Sequence, residues 1–235
     1  IFERPENARD PRRIDALSEQ ASRLVWAGRF DEAQAVLARA QELSLTLYGD
    51  EQAVEVLRQQ ANLFYARGEH AQAEELTRRA LVLALRGWRE SRGDMAAEIE
   101  GLARALEEAR PPAVEPPYVA AFRLLRRFEG DGAFELAGWM NGIALVLIPQ
   151  DRLAPAEALL TEALEIRCRS WGPECPLRQR TCFLLAEVAR AGTDGRTAER
   201  WLEESIAIAE RRGEPESAAR ARGLLAEVRA EAERD

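Results

Sequence analysis

Apolar and small residues recur at helical spacing along the chain, and turn residues interrupt them at regular intervals. Near the start, Leu17, Ala21 and Val25 lie on one face of a predicted helix, and Gly28 follows them. Glycine commonly ends a helix because it adopts the left-handed backbone conformation without steric cost. Asp31 then provides an N-cap for a second helix. The pattern therefore predicts two antiparallel helices joined by a short turn.

Small residues mark this helix pair, and their spacing recurs. Each set has three positions, the second 12 residues after the first and the third 7 residues after the second. The four clear sets, called the ladder below, are Ala21, Ala33 and Ala40; Ala61, Ala73 and Ala80; Ala144, Ala156 and Ala163; and Ala186, Ala198 and Ser205. Their first residues are 40, 83 and 42 residues apart, and because 83 is about twice the other intervals, one further repeat is expected within it. A period near 40 predicts stacked helical hairpins whose small side chains let helix backbones approach closely.

We therefore predict an all-α fold of about five antiparallel helical hairpins over residues 14–235, preceded by an extended polar segment over residues 1–13. The predicted repeats span residues 14–50, 54–92, 93–133, 134–176 and 177–213, and a capping helix covers residues 214–235. The third repeat is degenerate because four prolines within residues 111–117 interrupt it, so its helices are expected over residues 94–109 and 118–128. The fifth repeat is expected to turn more loosely, between Gly192 and Gly195.

The charge and the apolar content narrow the classes of partner. The formal net charge of −8 makes a nucleic-acid partner unexpected, because nucleic-acid binding needs a basic surface. The most apolar stretch, residues 136–149, is too short to span a bilayer, so no membrane association is expected. Three cysteines cannot all pair with one another, which favours a reducing compartment. We therefore expect a cytoplasmic protein.

The residue types that carry chemistry are few and badly placed for catalysis or metal binding. The single histidine, His70, occupies the hairpin-corner position that Phe30 holds in the first repeat, so it is interpreted as a packing residue. Cys168, Cys175 and Cys182 do not share one helix face, because Cys175 falls in a Gly–Pro link between helices. Structural zinc also needs four ligands at short characteristic spacings. The sequence predicts no catalytic residue, no metal site and no cofactor.

The order of a small residue, a glycine, an aromatic residue and two alanines resembles the tetratricopeptide repeat, whose usual period is about 34 residues. The longer repeats of this chain are similar to the kinesin-light-chain type, with repeats of about 42 residues. Residues 141–175 carry the best match, and the link WGPECP lies at residues 171–176, at its end. The resemblance implies a right-handed superhelical solenoid whose first helices line a concave groove for a protein or peptide.

Transferring that groove to this chain yields a set of candidate binding residues. They are Arg58, Asn62, Tyr65, Asn141, Leu145, Arg180, Phe183 and Arg190. Arginine and asparagine side chains bind carboxylates and peptide groups, so a partner with acidic groups or a free C-terminus is expected. The alternative for each side chain is an ordinary solvated surface position. A second hypothesis is that this chain is the regulatory or substrate-recruiting domain of a larger kinase, protease or transcription factor, because it begins without an initiator methionine.

Overall fold

The computed structural model describes residues 12–48, 54–91, 101, 103–105, 133–171 and 175–234. Its helices in these ranges are α1 (Arg12–Trp26), α2 (Phe30–Tyr48), α3 (Val54–Ala66), α4 (His70–Ser91), α5 (Ala133–Leu147), α6 (Leu153–Trp171), α7 (Pro176–Ala191), α8 (Gly195–Arg211) and α9 (Pro215–Ala232). One 3-10 turn, Ile148–Gln150, follows α5. Every regular element in the described ranges is helical, so the predicted all-α class is confirmed.

The degenerate third repeat falls mostly outside the described residues. Residues 101 and 103–105 are helical, in agreement with the helix predicted over residues 94–109. The remainder of that helix, the prolines at 111–117 and the helix predicted over residues 118–128 lie outside the described ranges. Those predictions remain predictions.

The chain divides into two compact units, residues 1–107 and 108–235. In unit 1, α1 pairs with α2 and α3 pairs with α4, and α3 also packs against α1 and α2. In unit 2, α5 pairs with α6, α7 pairs with α8, and α6 packs against α7. α9 packs on α8, at the place where the capping helix was predicted. Within each unit, the predicted stacking of antiparallel helical hairpins is confirmed.

All twelve ladder residues are buried, with exposed fractions of at most 3%. A methyl group at each position leaves room for the backbone of the neighbouring helix, and a larger side chain would push the helices apart. Ser205 is the ladder position that is not alanine, and its hydroxyl donates to the backbone oxygen of Gln179 at 3.3 Å. The polar atom is therefore satisfied across the contact between α7 and α8.

Five turns between consecutive helices share one set of backbone hydrogen bonds. In the first, the N–H of Arg29 donates to the oxygen of Leu24 at 2.9 Å, and the N–H of Gly28 donates to the oxygen of Val25 at 3.1 Å. This pair of bonds defines the Schellman motif, which places one residue in the left-handed conformation. The five left-handed residues, with their φ angles, are Gly28 (75°), Gly68 (78°), Asp151 (58°), Thr193 (61°) and Gly213 (68°). The last turn joins α8 to α9, so α9 continues the alternation of helix directions.

The prediction of a looser turn in the fifth repeat is wrong. The N–H of Asp194 donates to the oxygen of Ala189 at 2.8 Å, which is the bond that Arg29 makes to Leu24 in the first turn. Thr193 is left-handed, and Gly192 is not, with φ of −79°. β-branched residues rarely adopt the left-handed conformation, so the sequence alone favours the neighbouring glycines over Thr193 for this position. Here the helix packing on both sides imposes the backbone angle.

The strain at Thr193 generates a stability prediction. Thr193→Gly is expected to raise the free energy of unfolding by roughly 0.5–1 kcal/mol, because the relief of backbone strain outweighs the entropy that glycine adds to the unfolded chain. Gly68→Ala is the opposite test, since a Cβ there would meet no atom within 4 Å and would suffer only from the φ of 78°. It should cost about 1 kcal/mol. Urea denaturation measures both changes, and a destabilised Thr193→Gly variant would contradict the strain argument.

Asp194 caps α8 and generates a prediction about pH. Its carboxylate accepts a hydrogen bond from the backbone N–H of Thr197 at 3.1 Å. Hydrogen bonds from the side chain and backbone of Thr197 lower the pKa of Asp194 below its ordinary value of 3.8. The folded-state pKa lies below the unfolded one, so this stabilisation is present above that ordinary value and is lost as the pH falls through the folded-state pKa.

Asp194→Asn separates the charge from the cap, because asparagine also accepts the capping hydrogen bond but does not titrate in this range. The wild type is expected to melt above the variant near neutral pH, and the difference should disappear in acid, once the pH is below the folded-state pKa of Asp194. Thermal melts followed by circular dichroism over this pH range measure the effect. A difference in Tm that is the same at every pH would show that the charge of Asp194 does not contribute.

Candidate functional site

The eight predicted groove residues lie on α3, α5 and α7, the first helices of three hairpins. Five of them are buried, with the following exposed fractions: Asn62 4%, Asn141 2%, Leu145 4%, Arg180 8% and Phe183 4%. The other three, Arg58, Tyr65 and Arg190, are half-buried. The structure brings Arg58, Asn62 and Tyr65 together on α3 and Phe183 with Arg190 on α7. Their role in binding remains a prediction, and the half-buried residues have the most surface to offer a partner.

A chain of hydrogen bonds runs along α3. Nε and Nη2 of Arg58 donate to one oxygen of Glu55, at 2.9 and 2.5 Å. The other oxygen of Glu55 accepts from Nε2 of Gln59 at 2.7 Å, and the Gln59 oxygen accepts from Nδ2 of Asn62 at 2.8 Å. Gln59 and Asn62 are buried, whereas Glu55 and Arg58 are half-buried. The buried amides thus hold Glu55, and Glu55 holds the guanidinium of Arg58.

Tyr65 extends this surface toward the end of α3. It follows Arg58 by seven residues and therefore lies on the same helix face. Its ring lies 5.3 Å from the ring of His70, centroid to centroid, at an interplanar angle of 57°. His70 is the first residue of α4, as Phe30 is of α2, so the predicted hairpin-corner position of His70 is confirmed. We call Glu55, Arg58, Asn62 and Tyr65, with Gln59 beside them, the α3 face.

Asn141 belongs to a buried polar junction that the sequence analysis did not find. Its Nδ2 donates to Oγ1 of Thr181 at 3.2 Å, and Nη1 of Arg167 donates to the same oxygen. Nη2 of Arg167 donates to the backbone oxygen of Ala137 at 3.2 Å. The three side chains are at most 2% exposed, so the junction ties α5, α6 and α7 together.

The ladder offset is the sequence signal for this junction. Arg167 lies four residues after Ala163, and the equivalent positions in the other clear repeats are Ser44, Ala84 and Ala209. All three of those residues are small and buried. An arginine at a position that elsewhere holds a small buried residue indicates a local polar network, because a buried guanidinium needs hydrogen-bond acceptors.

Arg190 and Phe183 on α7 meet side chains of α9. Nε and Nη2 of Arg190 bond the two oxygens of Glu231 at 3.1 and 2.6 Å, and Nη1 lies 3.0 Å from an oxygen of Glu227. The guanidinium of Arg220 lies over the ring of Phe183, 5.0 Å from its centroid. Arg190 follows Phe183 by seven residues on α7, and Glu227 follows Arg220 by seven residues on α9, so the two helices run parallel. The hydrogen bonds between them lower the pKa of Glu231 and raise the pKa of Arg190.

The three cysteines are free thiols. Burial raises the pKa of Cys182 to about 12, with a further contribution from the charge of Glu204, so this thiol stays protonated at neutral pH. Among the described residues, no group of three or more His, Cys, Asp or Glu side chains is arranged to hold a metal ion. None of the helices in the described ranges has both the length and the apolar character needed to cross a membrane.

Among the comparisons with known proteins, only the one with solved structures finds similarity. No family model and no curated protein matches the sequence. A similar solved structure is the crystal structure of BtubC (BKLC) from P. vanneervenii, at 24% sequence identity and a TM-score of 0.42. The match covers 88% of this chain and 87% of that chain. The description of this chain as a helical repeat protein rests on its own hairpins, ladder and turns.

The buried junction generates a stability prediction. Thr181→Val preserves the shape of the side chain but leaves Arg167 and Asn141 short of an acceptor in a buried site, which is expected to cost about 2–3 kcal/mol. Thr77→Val is the matched control, because Thr77 is also buried, at 5% exposed, and its hydroxyl donates to the backbone oxygen of Ala73 in its own helix, at 2.9 Å. That change should cost less than about 1 kcal/mol. Equal losses in urea denaturation would show that the junction adds no stability.

Proposed function

We propose that this chain is a tetratricopeptide-like scaffold of the kinesin-light-chain type that binds a protein or peptide, and that the α3 face contacts the partner. The observation that carries the proposal is that Arg58 and Tyr65, which are half-buried, lie on one face of a first helix, next to the buried and hydrogen-bonded Gln59 and Asn62. Stacked helical hairpins support this proposal, because they hold such faces on rigid elements.

The chemistry of the α3 face suits a peptide chain. Among the described residues, Nη1 of Arg58 has no hydrogen-bond partner, so it can donate to a carbonyl or carboxylate oxygen. The ring of Tyr65 offers apolar area together with a hydroxyl group, and tyrosine and arginine are enriched at the energetic centres of protein interfaces. Because Glu55 already orders Arg58, the Arg58 side chain loses less entropy when a partner binds.

Burial decides which substitutions can test the proposal. Asn62 is 4% exposed and donates to Gln59, so its replacement would disturb the core of unit 1 as well as the surface. Arg58→Ala and Tyr65→Ala each remove a half-buried side chain and leave the side-chain amides of Gln59 and Asn62 in place. The matched control is Arg78→Ala, because Arg78 forms the same type of ion pair with Glu75, three residues earlier, on the second helix α4.

The experiment uses an array of immobilised peptides of random sequence and measures which peptides the wild-type chain binds. Arg58→Ala and Tyr65→Ala are each expected to weaken binding of those peptides about tenfold or more, because each removes a central contact. Arg78→Ala should leave the set of bound peptides unchanged. Circular dichroism checks that all variants keep their helical content. A wild-type chain that binds no peptide, or equal losses for Arg58→Ala and Arg78→Ala, would overturn the proposal.

A further inference from the structure

The α7 surface that sequence analysis assigned to an acidic partner is occupied by side chains of this chain. Arg190 was predicted to hold a partner carboxylate, and in the structure it holds the carboxylates of Glu227 and Glu231 from α9. Phe183, seven residues earlier on the same face, is covered by the guanidinium of Arg220. α9 thus supplies two anionic groups to Arg190 and a cover to Phe183.

The bond geometry is the one that a partner carboxylate would use. Glu231 receives two parallel hydrogen bonds from Nε and Nη2 of Arg190, which is the two-pronged arrangement typical of arginine with carboxylates. Glu227 takes the remaining Nη1 position at 3.0 Å. A second carboxylate can form the same pair of hydrogen bonds with Nε and Nη2 only if Glu231 moves away.

The glutamates can move without displacing α9. The helix packs on α8, and its buried residues form a separate stripe that consists of Ser217, Ala218, Ala221, Leu225 and Val228. The side chains of Glu227 and Glu231 are 61% and 41% exposed, and that of Arg190 is 35% exposed. Ion pairs between exposed groups contribute little to stability, because water solvates both partners when they separate. A change of side-chain rotamer is therefore enough to release Arg190.

We propose that Glu227 and Glu231 are internal competitors, which compete with the carboxylate of an acidic peptide for Arg190. In this way α9 keeps the surface around Arg190 closed to acidic partners. The inference rests on the proposed function, since it names the partner chemistry and the regulation of a second part of the binding surface. The competing carboxylates lower the affinity for acidic peptides, and neutralising them raises it.

The test is fluorescence anisotropy with a fluorescein-labelled hexaglutamate peptide at low ionic strength. The double variant Glu227→Gln/Glu231→Gln is expected to bind it about tenfold more tightly than the wild type, because a carboxylate of the peptide can then form charge-assisted hydrogen bonds with Arg190. Adding Arg190→Ala to the double variant should abolish the gain. The helical content of each variant is checked by circular dichroism.

A second pair of glutamates provides the matched control. Among the described residues, Glu157 of α6 and Glu233 at the end of α9 are exposed and pair with no arginine, so Glu157→Gln/Glu233→Gln removes the same number of charges without releasing a guanidinium. This variant should bind the peptide as the wild type does, apart from the effect of net charge that both double variants share. An equal gain in the two double variants, no gain in either, or a gain that survives Arg190→Ala would overturn the inference.

The outcome is separable from that of the proposed function. The peptide array depends on Arg58 and Tyr65 in unit 1, whereas the hexaglutamate gain depends on Arg190 in unit 2. Adding Arg58→Ala to the Glu227→Gln/Glu231→Gln variant should leave the gain intact. If the chain binds no peptide on the array but the hexaglutamate gain is present, the role of the α3 face is rejected alone. If the chain binds peptides on the array but the hexaglutamate gain is absent, the role of Glu227 and Glu231 is rejected alone.

Discussion

The close approach of helix backbones within each hairpin is the constraint on which the rest of the structure depends. The twelve ladder residues are almost completely buried, and eleven of them are alanine. Dispersion contacts are individually weak and fall off steeply with separation, so helices held apart by one larger side chain would lose many of them together. The ladder therefore determines the distance between helices and, through it, which faces of the first helices remain outside the core.

The turns obey the same constraint. Helices that pack along their full length must reverse direction over a few residues, and the Schellman motif does so with one left-handed residue. Glycine accepts this angle at Gly28, Gly68 and Gly213, whereas Asp151 and Thr193 adopt it at a cost in strain. The backbone geometry therefore outweighs the preference of the individual residue. This is why the position of the left-handed residue at Thr193 could not be inferred from the nearest glycine.

The contacts of the arginines depend on which hydrogen-bond acceptors the packing of the helices places near them. Arg58 bonds Glu55 within its own helix, whereas Arg190 bonds glutamates of α9 and Arg167 bonds Thr181 and the backbone of Ala137. The chain contains arginine but no lysine, and the planar guanidinium suits contacts that use several of its nitrogens at once. The binding capacity of each arginine thus depends on how many of its donors the chain itself already uses.

The sequence by itself determined the helices, the hairpin pairing, the buried ladder and the corner position of His70. These features depend on residues close together in the chain, where helical spacing and turn chemistry are direct constraints. Only the tertiary structure decided that Asn141 lies in a buried junction and that Arg190 is held by α9. The partners in those contacts are 40 and 41 residues away, so they depend on the rotation and offset of packed helices. Neighbouring residues in the sequence do not determine that rotation and offset.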